Sequence, residues 1–141
     1  MQTNNSETAG MTPLNVLIVD DSATMRALLY RVVGLADLPI GAIYQAPNGA
    51  EALKVLETHS IQAVFTDVNM PVMNGMELIR AIRDDPRFAM LPVVVQTSDR
   101  AAARAPVWTD LHVAQTVIKS DFMEWLVAHI EEHIASGDGP T

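Results

Sequence analysis

Val16-Leu17-Ile18-Val19-Asp20-Asp21 is an apolar run that ends in two carboxylates, and Ala63-Val64-Phe65-Thr66-Asp67 repeats that arrangement later in the chain. Segments that are apolar at nearly every position are typical of strands buried on both faces of a parallel sheet. Acidic side chains at the point where such strands surface are unfavourable unless another group uses them. The two segments therefore predict neighbouring strands whose acidic ends meet in one crevice.

Strand and helix patterns alternate along the whole chain. Such alternation predicts one α/β domain, a parallel five-stranded sheet with helices on both faces. The predicted strands are 14–20, 40–46, 61–66, 91–97 and 114–118, and the predicted helices are 22–36, 48–58, 75–84 and 120–135.

The segment 99–113 departs from this alternation. Ala101 to Ala105 favours a helix, but Pro106 follows at once and disfavours helical backbone at the preceding residue. We expect a short or irregular fourth helix, with Trp108 either exposed or packed against a neighbouring element.

Polar residues end or directly follow four of the predicted strands: Asp20 and Asp21, Asp67, Thr97, and Lys119. The carboxyl ends of parallel strands share one edge of a sheet, which is where such sheets bind ligands. Clustered carboxylates repel one another unless a cation lies among them, and oxygen ligands suit Mg²⁺. A site of this composition can hold a phosphoryl group beside Mg²⁺, with the Lys119 ammonium and the Thr97 hydroxyl on other phosphoryl oxygens.

Composition narrows the classes of function. The 141 residues suffice for one domain, and a net charge of −8 argues against nucleic acid and anionic membranes as direct partners. Cysteine is absent from the sequence, which excludes disulfides and zinc sites built on Cys. The N-terminal residues have no secretory pattern and no apolar run is long enough to span a membrane, so we expect a cytoplasmic protein.

The chain resembles the receiver domains of two-component response regulators, most closely the free-standing chemotaxis type. The matching motifs are Asp20 to Arg26, Asp67 to Gly75, Thr97-Ser98 and Lys119, and the likeness covers residues 14–135. It implies a doubly wound (βα)5 flavodoxin-like domain with strand order 2-1-3-4-5. We expect residues 1–13 to be disordered and 136–141 to form a flexible tail.

The resemblance implies roles for individual residues. Asp67 would accept a phosphoryl group from a phosphohistidine on a sensor histidine kinase or a histidine phosphotransfer protein. Lys119 and Thr97 would contact that group. Mg²⁺ would be held directly by Asp21, mostly through water by Asp20, and also by Asp67 and the main-chain carbonyl of Asn69.

Two positions depart from the family pattern. Ser120 stands where the family usually has a proline after the lysine, so we expect a trans peptide bond there. Thr116 stands where an aromatic ring usually moves together with the conserved threonine. The phosphorylation chemistry therefore looks intact, while the surface that passes the signal to a downstream protein is altered.

Two other functions stay open. A pseudo-receiver would bind partners without phosphorylation, as the unusual Thr116 and Pro106 allow. A phosphatase with an aspartate nucleophile would want a second acid two residues after Asp67, where this chain has Asn69. The leading interpretation is a signalling module that turns over no separate substrate, either a monomer or a dimer that forms on phosphorylation.

Overall fold

Five strands alternate with helices in the computed structural model, which describes residues 13–35 and 39–121. The fourth strand begins at Val93 rather than at residue 91, because Pro92 has no N–H with which to extend the ladder. The elements are β1 Leu14–Val19, α1 Ala23–Leu35, β2 Ile40–Ala46, α2 Gly49–Thr58, β3 Ala63–Asp67, α3 Gly75–Asp84, β4 Val93–Thr97, α4 Arg100–Ala103, α5 Val107–Asp110 and β5 Gln115–Ile118.

The five strands form one parallel sheet in the order β2-β1-β3-β4-β5, which confirms the predicted fold. β1 lies beside β3, with Val19 paired to Thr66. β3 lies beside β4, where Asp67 pairs with Gln96. The strands therefore reach one edge of the sheet together, and the polar residues that follow them meet at that edge.

Hydrophobic clusters cover both faces of the sheet. Leu17 and Val19 of β1 join one cluster with α2 and α3, while Val16 and Ile18 join another with α1. Successive strand residues point to opposite faces, so a strand covered on both sides must be apolar at every position. This is the physical reason for the uninterrupted apolar run before Asp20.

Asparagine side chains cap two of the helices. Asn48 accepts a hydrogen bond from the N–H of Glu51 at the start of α2, and the Glu51 carboxylate pairs with Lys54. In α3, Asn74 and Glu77 bond each other's main-chain N–H groups, a complete capping box. These caps fix where α2 and α3 begin relative to the sheet edge.

The fourth helical segment is broken, as Pro106 predicted. α4 spans four residues, and a second four-residue helix, α5, begins at Val107. Trp108 is buried, and its indole N–H donates a hydrogen bond of 2.6 Å to the carbonyl of Ala102. Of the two positions expected for Trp108, the packed one is therefore correct.

Arg83, in the last turn of α3, binds two connecting segments through their main-chain carbonyls. Its Nη1 lies 2.7 Å from the carbonyl of Leu91, and its Nε lies 2.9 Å from that of Leu111. Longer bonds reach the carbonyls of Phe88, Ala89 and His112. One guanidinium thus links the segments that lead into β4 and β5.

Several sequence predictions concern residues outside the described ranges. The disorder predicted for 1–13 lies outside them except at Pro13, and the flexible tail predicted for 136–141 lies wholly outside them. The helix predicted for 120–135 lies outside them beyond residue 121. All three stay predictions. Within residues 13–35 and 39–121, no helix has the length and apolar character needed to cross a membrane.

Candidate functional site

Three carboxylates converge at the carboxyl edge of the sheet. Asp20, Asp21 and Asp67 each place an oxygen within 4.8 Å of the others. Asp20 is fully buried and Asp67 is nearly so, whereas Asp21 is exposed. The crevice therefore has two acids in its floor and one at its rim.

Lys119 joins the two buried acids. Its Nζ lies 2.8 Å from Oδ2 of Asp20 and 3.1 Å from Oδ2 of Asp67. Within residues 13–35 and 39–121 no peptide bond is cis, so the Lys119–Ser120 bond is trans, as the sequence predicted. One ammonium thus partly offsets two carboxylates, and the cluster keeps an excess of negative charge.

Burial and neighbouring charges shift the acid–base behaviour of the site. Burial raises the pKa of Asp67, the Lys119 ammonium acts against this, and the charge of Asp20 adds to it. Burial by itself lowers the pKa of Lys119, but the hydrogen bond to Asp20 and the charges of both acids raise it on balance. The lysine therefore remains a cation at neutral pH, while ionised Asp67 gains from any further positive charge nearby.

Local hydrogen bonds hold Asp20 in place. Its Oδ1 accepts a 2.8 Å bond from the N–H of Ser22, and its main-chain carbonyl accepts a 2.7 Å bond from Arg26. Asp20 therefore forms a turn with Ser22, whose own hydroxyl caps α1 by accepting a 3.1 Å bond from the N–H of Met25. This local role does not explain its ion pair with Lys119, which lies at the far end of the domain's sequence.

The backbone at Asp67 is packed tightly against the start of α3. Oδ1 of Asp67 accepts a 2.7 Å bond from the N–H of Val68, and the Val68 carbonyl accepts a 2.8 Å bond from the N–H of Gly75. A methyl group added at Gly75 would clash with the carbonyl oxygen of Asp67 and lie 3.0 Å from its carbonyl carbon. Glycine thus permits the close approach that positions this acid.

Thr97 ends β4 and Asn69 follows β3, so both lie at the edge of the sheet that carries the acids. Thr97 is buried, and its hydroxyl oxygen accepts a 3.1 Å bond from the N–H of Asp99. The hydroxyl therefore keeps its own hydrogen for an acceptor in the crevice. Asn69 is exposed in the segment between β3 and α3, on the same edge of the sheet.

Two residues of the site had no role predicted from the sequence. Gly75 closes the motif that begins at Asp67, but the motif does not show that the two residues pack against each other. Gln96 did give a signal, since an amide interrupts the apolar residues of β4 just before Thr97. In the structure it is fully buried, and its Nε2 lies 3.4 Å from Oδ2 of Asp20.

The donor set suits a hard divalent cation. Three carboxylates within one ion's reach offer the oxygen ligands that Mg²⁺ prefers, and the exposed Asp21 leaves one side open to water. The single lysine leaves negative charge for a cation to offset. The residues present therefore fit a magnesium site.

Known proteins share this fold and resemble this sequence over most of its length. A chemotaxis protein CheY homolog of Campylobacter jejuni is 28% identical over 127 residues, spanning 89% of this chain and 96% of that protein. The phosphorylated cyanobacterial phytochrome response regulator RcpA has a TM-score of 0.72 at 22% identity, covering 86% of this chain and 94% of its own. The Mn²⁺-bound form of response regulator Rcp1 has a TM-score of 0.70 at 22% identity, covering 80% and 88%.

The family comparison covers most of the domain. Residues 16–131 match the response regulator receiver domain. The match includes all four strand ends that carry the acids, the threonine and the lysine. The chain therefore belongs to the receiver domains of response regulators, the CheY-like signalling modules of two-component systems.

Proposed function

We propose that this protein is a phosphorylation-switched module of a two-component phosphorelay, with Asp67 as the phosphoacceptor. The observation that carries the proposal is the Lys119 ammonium, which spans Asp20 and Asp67 at 2.8 and 3.1 Å beside the exposed Asp21. A nucleophilic carboxylate, a fixed cation and an open acidic rim are the components that phosphoryl transfer to aspartate requires.

The carboxylates would also hold the metal ion. Asp21 offers direct ligation because it is exposed, and the buried Asp20, already bonded to Lys119, acts mostly through water. Asp67 and the main-chain carbonyl of Asn69 complete the proposed ligand set. When bound, Mg²⁺ offsets charge on a phosphoryl oxygen.

The transfer itself needs few protein groups. A carboxylate oxygen of Asp67 attacks the phosphorus of a phosphohistidine, and the P–N bond breaks with its electron pair left on the imidazole nitrogen, which takes a proton from solvent. Lys119 and the Thr97 hydroxyl each bind one oxygen of the transferred group. The donor would be a sensor histidine kinase or a histidine phosphotransfer protein.

The phosphoryl group is expected to be short-lived. Asn69 and Asp99 are both polar and exposed, so neither shields Asp67 from water. Attack of water on phosphorus breaks the bond to Asp67 and releases phosphate. No separate substrate is turned over in this cycle.

The signal would leave through the segment after β4. The Thr97 hydroxyl accepts from the N–H of Asp99, and the Asp99 carboxylate caps α4 through the N–H groups of Ala101 and Ala102. Movement of Thr97 toward a phosphoryl group would therefore disturb the start of α4. A downstream protein would sense this change, since Thr116 cannot act as the moving aromatic ring of other family members.

The test is the intact mass of the protein after incubation with acetyl phosphate and Mg²⁺, with Asp67→Asn measured alongside. We expect a labile gain of one phosphoryl group in the parent and none in the variant, which retains the fold. A phosphorylated Asp67→Asn protein would disprove the assignment of the acceptor.

Two controls separate the other candidate functions. The parent protein could bind Mg²⁺ and yet gain no mass from acetyl phosphate or from a cognate phosphodonor. That result would favour a module that binds partners without phosphorylation. Sustained turnover of p-nitrophenyl phosphate would instead favour the phosphatase.

A further inference from the structure

Gln96 is a buried amide in β4, where the other residues are three valines and Thr97. It lies on β4 between Val95 and Thr97, opposite Asp67 in the register, and its side chain is fully buried. Buried polar side chains are costly unless their hydrogen bonds are made, so an amide at this position calls for an explanation.

The hydrogen bonding of Gln96 is one-sided. Its Nε2 donates to Oδ2 of Asp20 at 3.4 Å, while its Oε1 is the one buried side-chain polar atom without a hydrogen-bond partner among residues 13–35 and 39–121. An aliphatic side chain would bury the same space with no unpaired oxygen. Stability by itself therefore favours an apolar residue here, and the contact with Asp20 is what the amide adds.

The contact acts on an oxygen that has one other partner. Oδ2 of Asp20 accepts from Lys119, and that ammonium is shared with Asp67. Lys119 thus contacts two carboxylates, whereas the Nε2 of Gln96 contacts that of Asp20 and no other described carboxylate. The contact from Gln96 would therefore remain if Lys119 turned wholly toward Asp67.

We propose that Gln96 is a positioning residue that orients the Asp20 carboxylate for binding of a divalent cation. This inference rests on the proposed function, since it concerns the same cation site. Side chains that fix a ligand from outside the coordination shell influence metal affinity strongly although they never touch the ion.

The test compares Gln96→Met with Gln62→Met in the full chain. Methionine matches glutamine in length but has no N–H. Gln62 supplies the matched control because it bonds Asn15 and Ser60 at the start of β3, away from the acidic edge. Binding of Mn²⁺ is measured by electron paramagnetic resonance, with Mg²⁺ as competitor, and thermal unfolding is measured in EDTA.

We expect Gln96→Met to weaken Mn²⁺ binding about tenfold with an unfolding temperature in EDTA equal to or above that of the parent. Gln62→Met should leave Mn²⁺ affinity unchanged. Parental affinity in Gln96→Met would overturn the inference while leaving the proposed function in place. A parent that binds neither cation would overturn both.

Folding and direct observation provide further checks. Gln96→Leu is the second variant, and loss of folding in both variants would overturn the inference by showing a structural role. In the parent, the side-chain amide signal of Gln96 should shift when Mg²⁺ is added, while that of Gln62 should not. An unmoved Gln96 signal at saturating Mg²⁺ would equally count against the inference.

Discussion

Gly75→Ala should displace the proposed phosphoacceptor through backbone contact alone. An added methyl group would clash with the Asp67 carbonyl oxygen and lie 3.0 Å from both the Asp67 carbonyl carbon and Cα of Val68. Ordinary contacts at these atoms need about 3.4 Å or more, and the carbonyl oxygen is the closest of the three, so β3 and α3 must separate by about 1 Å. The side chain of Asp67 moves with its backbone.

That displacement should lower both the stability of the protein and its phosphorylation rate. Overpacking of this kind costs about 2 kcal/mol, and the unfolding temperature should fall by roughly 6 °C. Misplacement of a reacting group by up to 1 Å should slow phosphorylation by roughly 10- to 100-fold. The rate is followed by intact mass with acetyl phosphate and Mg²⁺, at a temperature where both proteins remain folded.

Gly34→Ala provides the matched control. Gly34 lies in α1, and outside its own helix no described atom is within 4 Å of the added methyl group. Alanine there should stabilise the protein by about 0.5–1 kcal/mol and leave the phosphorylation rate unchanged. If Gly75→Ala kept the parental phosphorylation rate and stability, the tight approach of α3 to Asp67 would not be needed and the prediction would be wrong.

Three further predictions concern stability. Burial raises the pKa of Asp67, so the folded state binds this proton more tightly than the unfolded state does. The protonated Asp67 carboxyl therefore stabilises the fold below about pH 4, and this stabilisation is lost as pH rises through the folded pKa. In EDTA, the advantage of Asp67→Asn over the parent in free energy of unfolding should therefore grow with pH, and a flat difference would contradict this. Arg83→Met should lower the free energy of unfolding by about 3 kcal/mol, because it removes two short charge-assisted bonds. Arg80 is exposed on the same helix, so Arg80→Met should lower it by under about 0.5 kcal/mol. Equal unfolding temperatures for the two variants would argue against the role of Arg83. Val72 has a φ of 69° and is 82% exposed, so Val72→Gly should stabilise the protein by about 1 kcal/mol in chemical denaturation, and a destabilised variant would show that the backbone there is not strained.

Much of the fold could be predicted because its signals are local. The continuous apolar run before Asp20 reflects a strand covered on both faces, and the alternation of strands and helices permits few topologies. Asn48 and Pro106 gave the start of α2 and the break after α4 for the same reason, since each acts on backbone within a few residues of itself.

The detailed organisation of the site depended on contacts between distant residues. Asp20 and Asp21 are chemically identical neighbours, yet one is buried against Lys119 and the other is exposed. Strand geometry sends adjacent side chains in different directions, but only the packed sheet shows which direction is covered. Gln96 likewise revealed its role only through its distance to Asp20.

The acids, the strand ends that carry them and the motifs that resemble the receiver family were all predictable, because each is a pattern of neighbouring residues. Three features came only with the folded chain: which acid is buried, the position of Lys119 between Asp20 and Asp67, and the packing of Gly75 against the Asp67 backbone. Burial, ion pairing and close packing arise between elements far apart in sequence. Their geometry exists only once the sheet and its helices have assembled.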